Sequence, residues 1–254
     1  TIEEVEEYLS LPVLGVIPHI DVKVSKRKKF LSFSTKESLE ITKSKLIINH
    51  SPKSPYVETY HSLRTNIKFS QEHFETRGIV LFTSSGIDEG KTLTSVNFAL
   101  ASAIAGIKTL FIELDLRRPS VHKWFGINRV PGFVDLVIGK KNFDEVIYTT
   151  TDFLLGGMEV ERVFSVPGLE NFSFIPCGSL PLNPVDVLSS SAIIEVFEEL
   201  KKTRTKKPVI VSMGSVAASG GLYVALGGTK IFASPGTVTG SIGVVLEIPN
   251  IEKL

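Results

Sequence analysis

The chain has 254 residues, 28 Lys and Arg against 27 Asp and Glu, and 43% hydrophobic residues. That length and apolar content suit one large or two small domains with a full core. A net charge of +1 excludes the general basic pull of a nucleic-acid binder, and a single cysteine, Cys177, excludes an internal disulfide framework and fits a reducing, cytoplasmic compartment.

Residues 1–20, TIEEVEEYLSLPVLGVIPHI, read as a short acidic helix, then Leu-Pro and a short strand, with no signal peptide. Residues 21–50 are basic, notably Lys26-Arg27-Lys28-Lys29. Such a run gains ~1 kcal/mol per residue beside anionic lipid, as at the inner face of a membrane. The other reading is a solvated loop. From Ser54 a helix is expected, with Pro55 in its first turn. On it Glu58, His61 and Arg64 recur every third residue and share one face.

The next stretch, Gly78 to Gly106, organises the chain. Ile79-Val80-Leu81-Phe82 suits a buried strand, and Leu93 to Ile104 a buried helix stopped by Gly106. Between them lies Ser84-Ser85-Gly86-Ile87-Asp88-Glu89-Gly90-Lys91-Thr92. Strand, loop, Gly-Lys-Thr and helix are the context of a P-loop. Ser85 stands where the standard pattern has its first glycine, so a chance Gly-Lys-Thr turn is the alternative. In the P-loop reading Ser85, Gly86, Glu89, Gly90, Lys91 and Thr92 surround ATP or ADP. Gly90 admits a phosphate close to the backbone, Lys91 reaches the β- and γ-phosphates, and the Thr92 hydroxyl binds Mg²⁺.

Lys108 to Pro119, KTLFIELDLRRP, reads as a buried strand ending in two acids. Alternation places Glu113 and Asp115 on one face at the carboxyl end, where open α/β sheets bind ligands. Acids there hold Mg²⁺ or accept a hydroxyl proton.

These residues resemble the cytoplasmic domain of bacterial tyrosine kinases that regulate capsule and exopolysaccharide export. That family follows a deviant P-loop with a strand ending in Asp-x-Asp-x-Arg-Arg-Pro. Here the run is Glu113-Leu114-Asp115-Leu116-Arg117-Arg118-Pro119, with Glu for the first acid. The resemblance implies Lys91, Glu113 and Asp115 as catalytic groups, and Thr92, Glu113 and Asp115 around magnesium. It covers residues 1–20, a segment that in membrane-fused members follows the last transmembrane helix. It also implies a homo-oligomer contact through Glu58, His61 and Arg64, where His61 replaces the family's middle Arg. A membrane polysaccharide export protein is the implied partner. The resemblance continues through Gly132 to Gly139, Phe174 to Gly178, and a helix capped by Asn183 and started by Pro184. Cys177 reads as a buried, inert thiol in a strand-end turn.

The pattern then breaks. The family next has a strand ending in Asp-x-Pro-Pro. Here Val209-Ile210-Val211 is followed by Ser212 and Met213, so the acid is missing. The tyrosine-rich tail is missing as well: Tyr223 is the sole tyrosine beyond residue 148. From about residue 195 to 254 the chain resembles the S49 signal peptide peptidases instead, on Lys207 to Tyr223, Lys230 to Thr237 and Thr239 to Val244. That match implies Ser219 as nucleophile. The Lys base and glycine-rich oxyanion strand of that family have no counterpart here, so no peptide hydrolysis is expected. The uncharged run Pro208 to Thr229 could suggest a membrane span. Its glycines and serines favour a buried α/β core.

The chain thus reads as two partial families joined near residue 195. The expected parts are a juxtamembrane-like segment and linker (1–50), a kinase-like P-loop domain (51–194) and an S49-like fragment (195–254). The expected fold is α/β, a P-loop NTPase-like parallel sheet with helices on both faces. The strand Val209 to Ser212 should fill the slot of the missing kinase strand, and a ClpP/crotonase-like fragment should end the chain. Three functions follow: an Mg-ATP-binding kinase feeble in phosphotransfer, a nucleotide-dependent scaffold without turnover, and a serine peptidase fragment.

Overall fold

The computed structural model describes residues 1–20, 35–70, 79–83, 89–158, 165–204, 209–213, 216–218, 230–231 and 238–240. Its first helix, α1 (Ile2–Leu9), is started by a capping box in which the Thr1 hydroxyl accepts the Glu4 N–H at 3.2 Å. The strand expected after it does not form. The Val13 N–H donates to Glu6 Oε1 of α1 at 2.7 Å, and Leu14, Ile17 and Ile20 pack on the core without regular secondary structure. Helix α2 (Thr35–Ser44) and a 3-10 turn (Ile47–Asn49) lead to α3 (Pro55–Ser70).

The P-loop unit is as expected: β1 (Ile79–Phe82), then α4 (Lys91–Ile104), ended by Gly106 at φ +81°. Strand β2 (Thr109–Leu114) follows, then four short helices, α5 (Val121–Trp124), α6 (Phe133–Val137), α7 (Phe143–Val146) and α8 (Thr150–Leu155). After β3 (Phe172–Ile175) come α9 (Pro184–Leu188), capped by the Asn183 side chain on the Val185 N–H, and α10 (Ser191–Arg204). Among the described residues beyond α10 are the strands β4 (Val209–Met213), β5 (Val216–Ala218), β6 (Lys230–Ile231) and β7 (Val238–Gly240). Helix α10 runs without interruption across residue 195. Among the described residues no helix is long and apolar enough to cross a membrane.

Five strands form one parallel sheet in the order β3-β2-β4-β1-β6, and β5 pairs with β7 in a separate parallel pair. The sheet separates two apolar layers by the two-residue alternation of strands. Val80, Phe111, Phe172 and Phe174 face α3 and α4 on one side. Leu81, Leu110, Ile112, Leu114 and Ile175 face α6 and α10 on the other. Helix α4 is buried along most of its length, since it lies between the sheet and α3. Asn97 is fully buried on it and is satisfied. Its Oδ1 accepts the Ile47 N–H at 3.0 Å, and its Nδ2 donates to Lys45 O at 3.1 Å and Tyr56 Oη at 3.0 Å. This bond set ties the P-loop helix to the 3-10 turn and to α3.

The centre of the sheet decides what the join does. Strand β4 comes from the segment that resembles the peptidases, yet it lies between β1 and β2 and pairs in parallel with both. Strands β1 and β2, joined through α4, are one strand's width apart in the sheet. Val209, Ile210 and Val211 are the apolar run that a central strand of a parallel sheet calls for.

Candidate functional site

All parallel strands of the main sheet end on the same edge, and the elements there carry the candidate residues. Gly90 holds φ +83°, a backbone state that suits glycine, and its carbonyl accepts the Thr94 N–H at 2.8 Å as α4 begins. Lys91 and Thr92 are the first two residues of α4 and are half-buried, and Glu89 is exposed just before it. The first amides of a fourteen-residue helix have no partners within it and carry the positive end of its dipole, so the start of α4 attracts an anion. Ser85 and Gly86 lie outside the described residues, as does Ser219.

The acids at the end of β2 are divided by the structure. Glu113 is 2% exposed, and its Oε1 accepts the N–H groups of Ser120 (2.6 Å) and Val121 (2.9 Å). Asp115 lies one residue beyond the strand and is half-buried. Its Oδ1 accepts the N–H groups of Arg117 (3.2 Å) and Arg118 (2.9 Å). In register, Ser212 of β4 stands between Phe82, the last residue of β1, and Glu113 of β2. Sequence alone leaves Ser212 and Met213 as alternatives for the position of the missing acid. The register sets Ser212 level with the end of the P-loop strand, and Met213 one step beyond it beside Leu114.

Cys177 lies in the turn after β3, fully buried with Leu116 and Val134. Burial first, and then the nearby Glu113 carboxylate, push its thiol up to about 12. It stays protonated and acts as a packing group.

One buried acid escapes a reading by motifs. Asp135, in the first turn of α6, is 3% exposed. Its Oδ2 accepts the N–H groups of Gly132 (2.9 Å) and Ser179 (3.1 Å), and its Oδ1 accepts the Ser179 hydroxyl at 2.6 Å. An Asp three residues after a glycine is a capping signal, but Ser179 is distant in sequence and gives none.

On α3, Glu58 is exposed while His61 and Arg64 are half-buried, and the opposite face buries Tyr56, Val57, Tyr60, Leu63 and Ile67. The basic run Lys26 to Lys29 lies outside the described residues.

A parallel sheet whose first β-strand runs through a Gly-Lys-Thr turn into a buried helix at the carboxyl edge defines a P-loop NTPase-like protein. Within that class the chain is similar over most of its length to bacterial tyrosine kinases of capsule and exopolysaccharide synthesis, and residues 201–254 match peptidase family S49. CapB, a candidate tyrosine-protein kinase of Staphylococcus aureus, is 31% identical over 159 residues, covering 63% of this chain and 62% of CapB. A candidate protease of Synechocystis is 47% identical over 60 residues, 24% of this chain and 22% of its own. Among solved structures, the chimerical protein CapA2B2 covers 96% of this chain and 87% of its own, with a TM-score of 0.68 at 23% identity. The kinase domain of Escherichia coli tyrosine kinase ETK covers 92% and 80%, with a TM-score of 0.66 at 23% identity. The chain spans from 23% to 62% of the length of the first curated kinases it matches.

Proposed function

We propose that this chain binds Mg-ATP or Mg-ADP at the start of α4 as a kinase-type P-loop protein linked to exopolysaccharide synthesis, with feeble phosphotransfer. The observation that carries the binding is Gly90-Lys91-Thr92 opening a long buried helix at the carboxyl edge of a parallel sheet. Lys91 supplies the cation for the phosphates. The residues present fit a magnesium ion, because Thr92 brings a hydroxyl and Asp115 keeps Oδ2 outside the hydrogen bonds of the described residues. Such an ion, when bound, neutralises charge on the transferring phosphoryl group. Asp115 would also be a candidate acceptor for the proton of an attacking hydroxyl.

Feeble transfer follows from the central strand. Phosphoryl transfer depends on positioning and charge neutralisation, and the register level with Phe82 and Glu113 holds Ser212, which carries no charge. Ser212→Asp is expected to raise transfer of radiolabel from γ-labelled ATP to a tyrosine substrate by at least about tenfold, a modest share of what one well-placed charged group contributes. Wild-type transfer at the rate of an intact kinase domain, with no gain in Ser212→Asp, defeats the reading.

The exposed Glu58, with His61 and Arg64 beside it, is proposed as a weak contact between copies of the chain. His61→Arg adds a permanent cation to this face and should strengthen association. Sedimentation that finds a monomer for both forms counts against it. An export protein of the membrane is the proposed partner, and a scaffold that binds it without turnover is the non-enzymatic variant of the same reading.

The match of residues 201–254 to S49 favours one second reading, acyl chemistry at Ser219, in a C-terminal part of the ClpP/crotonase-like type. A fluorophosphonate probe separates the two, since it labels a serine that a base has activated. The kinase reading expects Ser219 to stay unmodified.

A further inference from the structure

The two acids on either side of the end of β2 have different partners. Glu113 lies on the same face of β2 as Phe111, toward α4 and α5. The two amides its Oε1 accepts, from Ser120 and Val121, open α5. Such amides have no partners inside a helix, and the Ser120 side chain makes no capping bond. A carboxylate from the preceding strand therefore caps α5 in place of a local side chain. The remaining oxygen, Oε2, sits 3.9 Å from His122 Nδ1, and neither atom has a hydrogen-bond partner among the described residues. The His122 side chain is 12% exposed, so it closes the joint from the side of α5.

Between the two ends of this clamp runs Asp115-Leu116-Arg117-Arg118-Pro119. Asp115 folds that turn around its own Oδ1. We propose that Glu113 is a positioning residue and not a magnesium ligand. It clamps α5 to the end of β2 and so holds the turn that presents Asp115, the acid left for the metal. The clamp stands on the hydrogen bonds alone, and only the role given to Asp115 rests on the nucleotide reading above. Side-chain length is the physical reason for Glu at this position. An Asp carboxylate is about 1.5 Å shorter, one carbon–carbon bond, and does not reach both amides from the same backbone. The departure from the Asp-x-Asp run is then a local requirement of the joint.

The two roles order the variants oppositely. A cap needs reach and an acceptor, which Gln keeps and Asp loses. A metal ligand needs a charge, which Asp keeps and Gln loses. Thermal unfolding, and ADP affinity measured with and without Mg²⁺, are compared for the intact chain and for Glu113→Gln, Glu113→Asp and Glu113→Ala. The clamp expects Glu113→Gln to keep the wild-type ratio of the two affinities and a midpoint close to wild type. It expects Glu113→Asp and Glu113→Ala to lower the midpoint by about 5–10 °C. The reverse pattern overturns the proposal: Glu113→Asp at the wild-type midpoint, and Glu113→Gln with the Mg²⁺ effect abolished. If wild type itself binds no ADP, the nucleotide reading fails, and the midpoints of the three variants still decide the clamp.

Discussion

Lys91→Ala is expected to weaken Mg-ADP binding about 10–150-fold and to leave the fold intact. The magnitude follows from one charge-assisted phosphate contact, which contributes about 1.5–3 kcal/mol. Lys91 is well suited to that contact, since it is the first residue of α4 and sits where the helix dipole already favours an anion. In the proposed contact the lysine adds its charge to the anion preference of the helix start. Because the residue is half-buried at the helix start and alanine is a good helix former, the unfolding midpoint should move little. Calorimetric titration with Mg-ADP reads the effect. Equal affinity for both proteins sinks the P-loop assignment, and a large loss of stability in Lys91→Ala assigns the residue to the fold.

Asp135→Ala is expected to cost about 3–5 kcal/mol, from three orphaned donors at about 1–3 kcal/mol each. The carboxylate accepts three hydrogen bonds in a place almost closed to water, and its removal orphans the Gly132 and Ser179 amides and the Ser179 hydroxyl. The surroundings have no slack to repair this. Gly178 holds φ +86°, and a Cβ there would meet Asp135 Oδ2 at 2.6 Å. A Cβ on Gly132 would lie 2.3 Å from Pro176 O. The Phe133 and Val134 amides, already bonded to Pro176 O (2.8 Å) and Cys177 O (2.9 Å), fasten α6 to the turn after β3. The loss should lower the midpoint by about 6–20 °C. Asp135→Asn keeps an acceptor for part of the set and should fall between. A midpoint for Asp135→Ala within about 2 °C of wild type refutes the account.

Local pattern made much of the chain legible. The P-loop unit, the end of α4 at Gly106 and the start of α9 at Asn183-Pro184 follow from short-range rules of strand runs, caps and glycine conformation. The strand expected near Val13 fails for a reason outside its own residues: its amide is taken by Glu6, and among the described residues it pairs with no strand. Likewise Glu113 and Asp115 read as a matched pair by alternation. The strand ends between them, and Glu113 is drawn to the amides of a helix seven residues on.

The sequence by itself determined that this is a parallel α/β chain with a Gly-Lys-Thr helix start, an acid-bearing second strand, and a final segment of another type. Those features are periodicities and motifs written in neighbouring residues. The resemblance already assigned Val209 to Ser212 to the slot of the kinase strand; only the tertiary structure decided that this slot lies between β1 and β2, and that Ser212 rather than Met213 is level with Phe82. Strand order and register are set by which apolar faces are left to cover across long sequence separations, and nearby residues do not encode that. The same holds for the different hydrogen-bond partners of Glu113 and Asp115, and for Asp135 with Ser179. Each depends on partners brought together by packing, where a buried carboxylate must be satisfied by whichever amides and hydroxyls the fold places within reach.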